Sequence, residues 1–272
     1  MSFAEKLNTV IAEKQSYVCV GLDTDPGKIP ISVSGSETER MLDFNKKIID
    51  ATLDFAAAYK INSAFYESVG AEGMQVLRET VDHVPDNTVA IVDAKRGDIG
   101  NTAQQYARAV FEYLQADAVT LNPYMGYDSI APFAAYEDRG SFILCLTSNK
   151  SAADIQKVGT AEGVPVYVHT AKLIVSWNFS GNLGMVVGAT QPEELQTVRE
   201  IAPDIPLLIP GIGAQGGDLE KTVAFGIGKN RSPVLINSSR GIIYKSSGTD
   251  FAEAAAAECK KLRDSINELV NK

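Results

Sequence analysis

Histidine and cysteine are scarce in this chain of 272 residues, with two of the first and three of the second. Cys19, Cys145 and Cys259 are an odd set without metal-ligand spacing. Cys19 and Cys145 fall inside the apolar runs YVCVGL and FILCLT, where a buried, reduced thiol acting as a small hydrophobe is expected. His83 and His169 make neither an H-x-H nor an H-E-x-x-H pattern, so the common zinc arrangements are missing. Both are read as structural, His83 on the polar face of a helix and His169 in a helix packed on the rest of the fold. Positive charge is not in excess: the net charge of −9 argues against a general nucleic-acid binder. No apolar run approaches the length of a membrane span, and the opening MSFAEKLNTVIAEKQ reads as a charged amphipathic helix rather than a secretory signal. A cytoplasmic protein is the expectation. There is also no G-x-S-x-G elbow, no Walker loop and no dinucleotide fingerprint after the first strand. An anionic small molecule stays open as a ligand, because backbone N–H groups and one Arg suffice to hold a phosphate.

What is present is a regular alternation. Hydrophobic residues make up 45% of the chain and charged ones 22%, enough for a full core. Eight short apolar runs read as strands: 17–23, 55–62, 88–95, 117–123, 141–148, 183–190, 205–213 and 232–239. They are continuous rather than alternating in polarity, as expected of strands covered on both faces of a parallel sheet. Helical patterns such as ETERMLDFNKKIIDATL and NTAQQYARAVFEYLQ separate them, and a long amphipathic helix closes the chain. Eight β-then-α units imply right-handed parallel crossovers and a single (β/α)8 TIM barrel spanning 1–272. A doubly wound open sheet would leave two or three strands unexplained. Two stretches, 24–40 and 149–165, are longer and more irregular, and both follow strands.

Barrel enzymes place their chemistry at the C-terminal ends of the strands. Here those ends carry Asp23, Lys60, Asp93 with Lys95, Asn122 and Ser148. Charged groups on apolar strands are costly to desolvate unless paired, so four on three successive strands point to a site. In IVDAKRGDIGNTA, Asp93 and Lys95 are two apart and share a face of the strand. Gly97 and Gly100 then turn the chain, which is expected to bring Asp98 near the same region, with Thr102 one helical turn on. Carboxylates around an ammonium favour the charged form of all partners, and an ammonium beside a buried carboxylate is suited to protonating a carbanion as it forms. The seventh strand runs into LLIPGIGAQGGD and the eighth ends INSSRGIIY, with Arg240 in its turn. These are the two loops in which barrel enzymes most often grip phosphate.

The segment DAKRGDIGNT resembles the Asp-x-Lys-x-x-Asp signature of orotidine 5′-phosphate decarboxylases, in the form found in a longer bacterial branch. The resemblance covers nearly the whole chain, through GLDTD, YKIN, NPYMG, LTSN, PGIGAQGGD and SSRGI. It implies that Asp23 and Lys60 hold ribose hydroxyls and join the charge network. Asp93 would face the substrate carboxylate, and Lys95 would protonate C6 after CO2 leaves. Asp98 and Thr102 would reach into a neighbour's site, which implies a homodimer. Ser148 matches the position that bonds the pyrimidine, and Gln215 and Arg240 those that hold phosphate, with Gly213 and Gly241 permitting close approach. Neither a metal nor an organic cofactor is implied. Two other readings are weighed. A magnesium-dependent sugar-phosphate aldolase or keto-acid decarboxylase of the same barrel type needs an acidic metal ligand at the end of the second strand, where this chain has Lys60. A ligand-binding barrel without chemistry has no need of the Asp93–Lys95–Asp98 set.

Overall fold

The computed structural model describes residues 1–190, 192–212, 218–227 and 231–272. Eight parallel strands close on themselves in sequence order: β1 (Val18–Gly21), β2 (Ala58–Asn62), β3 (Val89–Arg96), β4 (Ala118–Leu121), β5 (Gly140–Leu146), β6 (Leu183–Val187), β7 (Leu207–Pro210) and β8 (Val234–Ser238). All eight fall within or overlap the apolar runs read as strands, and the ring closes where Cys19 lies opposite Asn237. The open-sheet alternative is thereby removed. In chain order the helices are α1 (Phe3–Lys14), α2 (Glu37–Thr52), α3 (Ala64–Glu67), α4 (Ala71–His83), α5 (Gly100–Arg108) and α6 (Ala131–Ala134). After them come α7 (Val166–Trp177), α8 (Pro192–Ile201), α9 (Leu219–Gly226), α10 (Arg240–Ile243) and α11 (Phe251–Val270).

Local chemistry explains the helix starts. Ser2 and Glu5 form a capping box at α1, and Ser36 and Glu39 form another at α2, so that side chains satisfy amides the helix leaves unpaired. The outer core lies between strands and helices and includes Phe44, Ile48, Tyr59 and Phe133, all fully buried. A second, smaller core fills the barrel itself. There α1 presents Phe3, Leu7 and Val10 to inward residues such as Val89, Phe142 and Leu235. The rings of Phe3 and Phe142 meet edge to face at 5.9 Å. Lys6 of α1 pairs with Asp117 at 2.6 Å, just before β4. One end of the barrel is therefore plugged, and the charged strand ends lie at the other.

The three cysteines are all buried and unpaired, and burial pushes the Cys19 and Cys145 thiols up to about 12. His83 ends α4 and lies 2.8 Å from Asp50. His169 lies within α7, 3.9 Å from Glu162.

Candidate active site

Four charged side chains from the first three strands and their ends form one linear array. Lys60, only 5% exposed, places Nζ 3.2 Å from Asp23 Oδ1 and 2.9 Å from Asp93 Oδ2. Lys95 Nζ donates to the other oxygen, Asp93 Oδ1, at 2.6 Å. The order is Asp23, Lys60, Asp93, Lys95, with signs alternating and formal charges summing to zero. Burial alone would favour neutral Lys60, but the carboxylates of Asp93 and Asp23 outweigh it and raise its pKa above the ordinary lysine value. Burial would likewise raise Asp93, yet Lys60 and then Lys95 hold it well below the usual carboxylate range. Such an array is expensive to desolvate and could be replaced by apolar packing, so its retention points to chemistry rather than stability.

Lys95 reaches Asp93 by a route the strand pattern did not foretell. Regular pleating was expected to aim both side chains the same way. Instead the β3–β4 register shifts between Val92 and Arg96, and Lys95 has φ of 48°, a conformation disfavoured for a residue with a Cβ. Its N–H donates to Thr120 Oγ1 at 2.9 Å, and the same hydroxyl donates to Asp93 Oδ1 at 2.8 Å. The bulge thus aims Lys95 at Asp93, and Thr120 holds both. Strain of this kind concentrates where geometry serves function.

A cavity of about 280 Å³ opens beside the array. Asp23, Lys60, Asp93, Lys95 and Thr120 line one side of it, Ser148 and Asn149 another, and Arg240 and Gly241 a third. Leu144, Val186 and Leu208 make its apolar part. Gly188 permits the approach of Ser148, since a Cβ there would stand 2.5 Å from the Ser148 hydroxyl. Gln156, from the irregular 149–165 stretch, accepts from Thr147 N at 2.8 Å and donates to Thr147 Oγ1 at 2.8 Å, which ties that stretch to the end of β5.

Of the residues expected at the site, Asp23, Lys60, Asp93, Lys95, Ser148, Arg240 and Gly241 meet in this cavity. Gly213 and Gln215 lie outside the described residues, while Gly211 and Ile212 just before them line the cavity. The expected return of Asp98 to the same region is corrected. Asp98 is not among the lining residues; its carboxylate accepts from the amide of Ile99 at 2.8 Å, and Thr102 is exposed on α5. Just before Asp98, Gly97 packs closely on Asn122, where an added Cβ would stand 3.1 Å from the Asn122 carbonyl oxygen. Asn122 also stays out of the cavity, its side chain accepting from Tyr124 N at 3.1 Å. Thr120 and Asn237 went unread in the sequence. Thr120 sits one residue inside the apolar run AVTL, and Asn237 Oδ1 is buried with no hydrogen-bond partner among the described residues. A polar residue interrupting an otherwise apolar strand was the available signal for both.

A closed parallel barrel with charged strand ends converging on one cavity has the layout of a barrel enzyme. The family model "Orotidine 5'-phosphate decarboxylase / HUMPS family" matches residues 16–256, and the chain belongs to that family. It is 47% identical over 270 residues to the orotidine 5′-phosphate decarboxylase of Dehalococcoides mccartyi, with 98% of each chain covered. The enzyme of that name from Roseiflexus castenholzii is 46% identical over 268 residues, again with 98% of both chains covered. Among solved structures, Leishmania donovani OMP decarboxylase superimposes with a TM-score of 0.86 at 38% identity over the whole of both chains. A putative orotidine-monophosphate-decarboxylase from Toxoplasma gondii gives 0.88 at 36% identity, covering 98% of each.

Proposed function

We propose that the protein converts orotidine 5′-monophosphate to UMP and CO2, the decarboxylation step of pyrimidine biosynthesis. The observation that carries this reading is the Asp23–Lys60–Asp93–Lys95 array on the cavity wall. Full-length relatives bearing the decarboxylase name support it. Breaking the C6–carboxylate bond leaves its electron pair in the plane of the pyrimidine ring, where no carbonyl is placed to accept it. The carbanion at C6 must be stabilised by charge already in position, and a preplaced ammonium does so without reorganisation. Lys95 is that ammonium: it gives one proton to C6, and CO2 departs. Asp93 holds Lys95 at 2.6 Å and faces the substrate carboxylate. Asp23 and Lys60 take the ribose hydroxyls, and Ser148 the pyrimidine. Arg240, with Gln215 and the close-approach glycines Gly213 and Gly241, takes the phosphate, whose binding far from C6 supplies energy for desolvation at the reacting carbon. The proposed chemistry calls on neither a metal nor an organic cofactor. Magnesium-stabilised enediolate chemistry is disfavoured, because the Lys60 ammonium occupies the position between two carboxylates that a cation would take.

The active unit we propose is a homodimer in the cytoplasm, with Asp98 and Thr102 completing the partner's site. Their absence from the lining of the chain's own cavity supports this, as do Ile99, Tyr124 and Met125, exposed by 53%, 84% and 50% on the two abutting turns. Lys95→Ala tests the central role. Turnover should fall by at least about a thousandfold, as expected for loss of a transition-state charge, while UMP still binds. A variant with near-normal turnover would remove Lys95 as proton donor.

A further inference from the structure

The GLDTD stretch holds more than its aspartate at the site. After β1 ends at Gly21, Leu22 N still donates to Lys60 O of β2 at 2.8 Å, but beyond that amide the chain leaves the sheet and its backbone groups need partners elsewhere. Leu22 O accepts from the Tyr66 hydroxyl at 3.2 Å. Asp23 O accepts from the Tyr244 hydroxyl at 3.2 Å, and that same hydroxyl accepts from Asp25 N at 2.7 Å. Thr24 Oγ1 donates to Asn45 Oδ1 at 2.6 Å. Asn45 Nδ2 in turn donates to the Tyr66 hydroxyl at 2.9 Å and to Thr80 Oγ1 at 3.0 Å. Thr24, Asn45, Tyr66 and Thr80 are all fully buried. Four consecutive residues are thus each held by a side chain from α2, α3 or the end of α10, and the network ends on α4.

Nothing in barrel packing requires a fully buried Asn on α2 to reach the end of β1. A Leu there with apolar neighbours would serve the core at lower desolvation cost. What the network does control is the backbone on both sides of Asp23, and hence the position of its carboxylate between Lys60 and the cavity. We propose that Asn45, Tyr66 and Tyr244 are positioning residues that act through Asp23, fixing the carboxylate that the substrate's ribose hydroxyls meet. This rests on the decarboxylase reading above.

The test is a double-mutant cycle on kcat/KM for orotidine 5′-monophosphate. Tyr244→Phe and Tyr66→Phe each remove one hydroxyl and keep the ring, and each is made alone and together with Asp23→Ala. Tyr244, on the rim, should tolerate the change even where Asn45→Ala fails to fold. In the parent background each Phe variant should lower kcat/KM about tenfold, mostly through KM. In the Asp23→Ala background the same change should have almost no effect. An equal fall in both backgrounds would make the network merely structural, and no fall in the parent would overturn the proposal outright. Turnover by the parent decides the decarboxylase reading beforehand. The same cycle read as UMP affinity decides the positioning claim if turnover is lacking, and a parent that neither turns over nor binds overturns both.

Discussion

Lys60 shows how one side chain can be both costly and indispensable. Its stem lies within the barrel mouth, and its ammonium is offset by a carboxylate on each side. Because the folded-state pKa of Asp93 is depressed, its charge stabilises the fold above about pH 4, and that contribution fades as pH falls. The pKa of Lys60 is raised, so its contribution is complete below about pH 10 and fades as pH rises through the higher folded value. Both groups stay charged between about pH 5 and 9, and kcat/KM should show no limb there from either. A pH profile with an acid limb near pH 6 that disappears in Asp93→Asn would contradict this. The task proposed for Arg240, which also lines the cavity, is different: to hold the phosphate far from the reacting carbon. Arg240→Ala should raise KM about ten- to a hundredfold with a smaller change in kcat; steady-state kinetics with an unchanged KM would remove Arg240 from the phosphate site.

Among the elements, the proposed function divides the work: α1 serves stability and the strand ends serve chemistry. Phe3→Ala at the plugged end should cost about 3–5 kcal/mol by denaturant unfolding, with kcat/KM of the folded fraction unchanged. A large loss of activity without loss of stability would contradict that division. The strands were legible because each is a short, continuous apolar run, and Asp23, Lys60, Asp93 and Lys95 because charge there breaks the pattern. The bulge at Lys95 was not legible, since a two-residue offset looks the same whether or not the register shifts. Nor were Thr120, or Asn45 on α2 and Tyr244 beyond α10: their partners are distant in sequence, and single polar residues in apolar stretches announce no partner. The packing of α1 against the barrel's end was hidden likewise, because an amphipathic helix does not say which apolar surface it covers. The exclusion of Asp98 from the cavity was not legible either, since the packing of Gly97 on Asn122, distant in sequence, is a contact that local spacing does not encode.

For the whole molecule, Asp98 and Thr102 lie outside the lining of the chain's own cavity. If they complete the partner's site, two inactive variants should complement each other. Mixing Lys95→Ala with Asp98→Ala under subunit exchange should regenerate about a quarter of the parental sites, since a symmetric heterodimer collects both changes in one site and leaves the other intact. No recovery, with heterodimers verified by mass, would place Asp98 outside the shared site.

The claim on which all of this depends is the reaction itself. Its most direct measurement is the fall in orotidine 5′-monophosphate absorbance when purified protein is added with EDTA present throughout. The account predicts rapid, complete conversion to UMP, unaffected by the chelator. A folded, dimeric protein that leaves the nucleotide unchanged would contradict it.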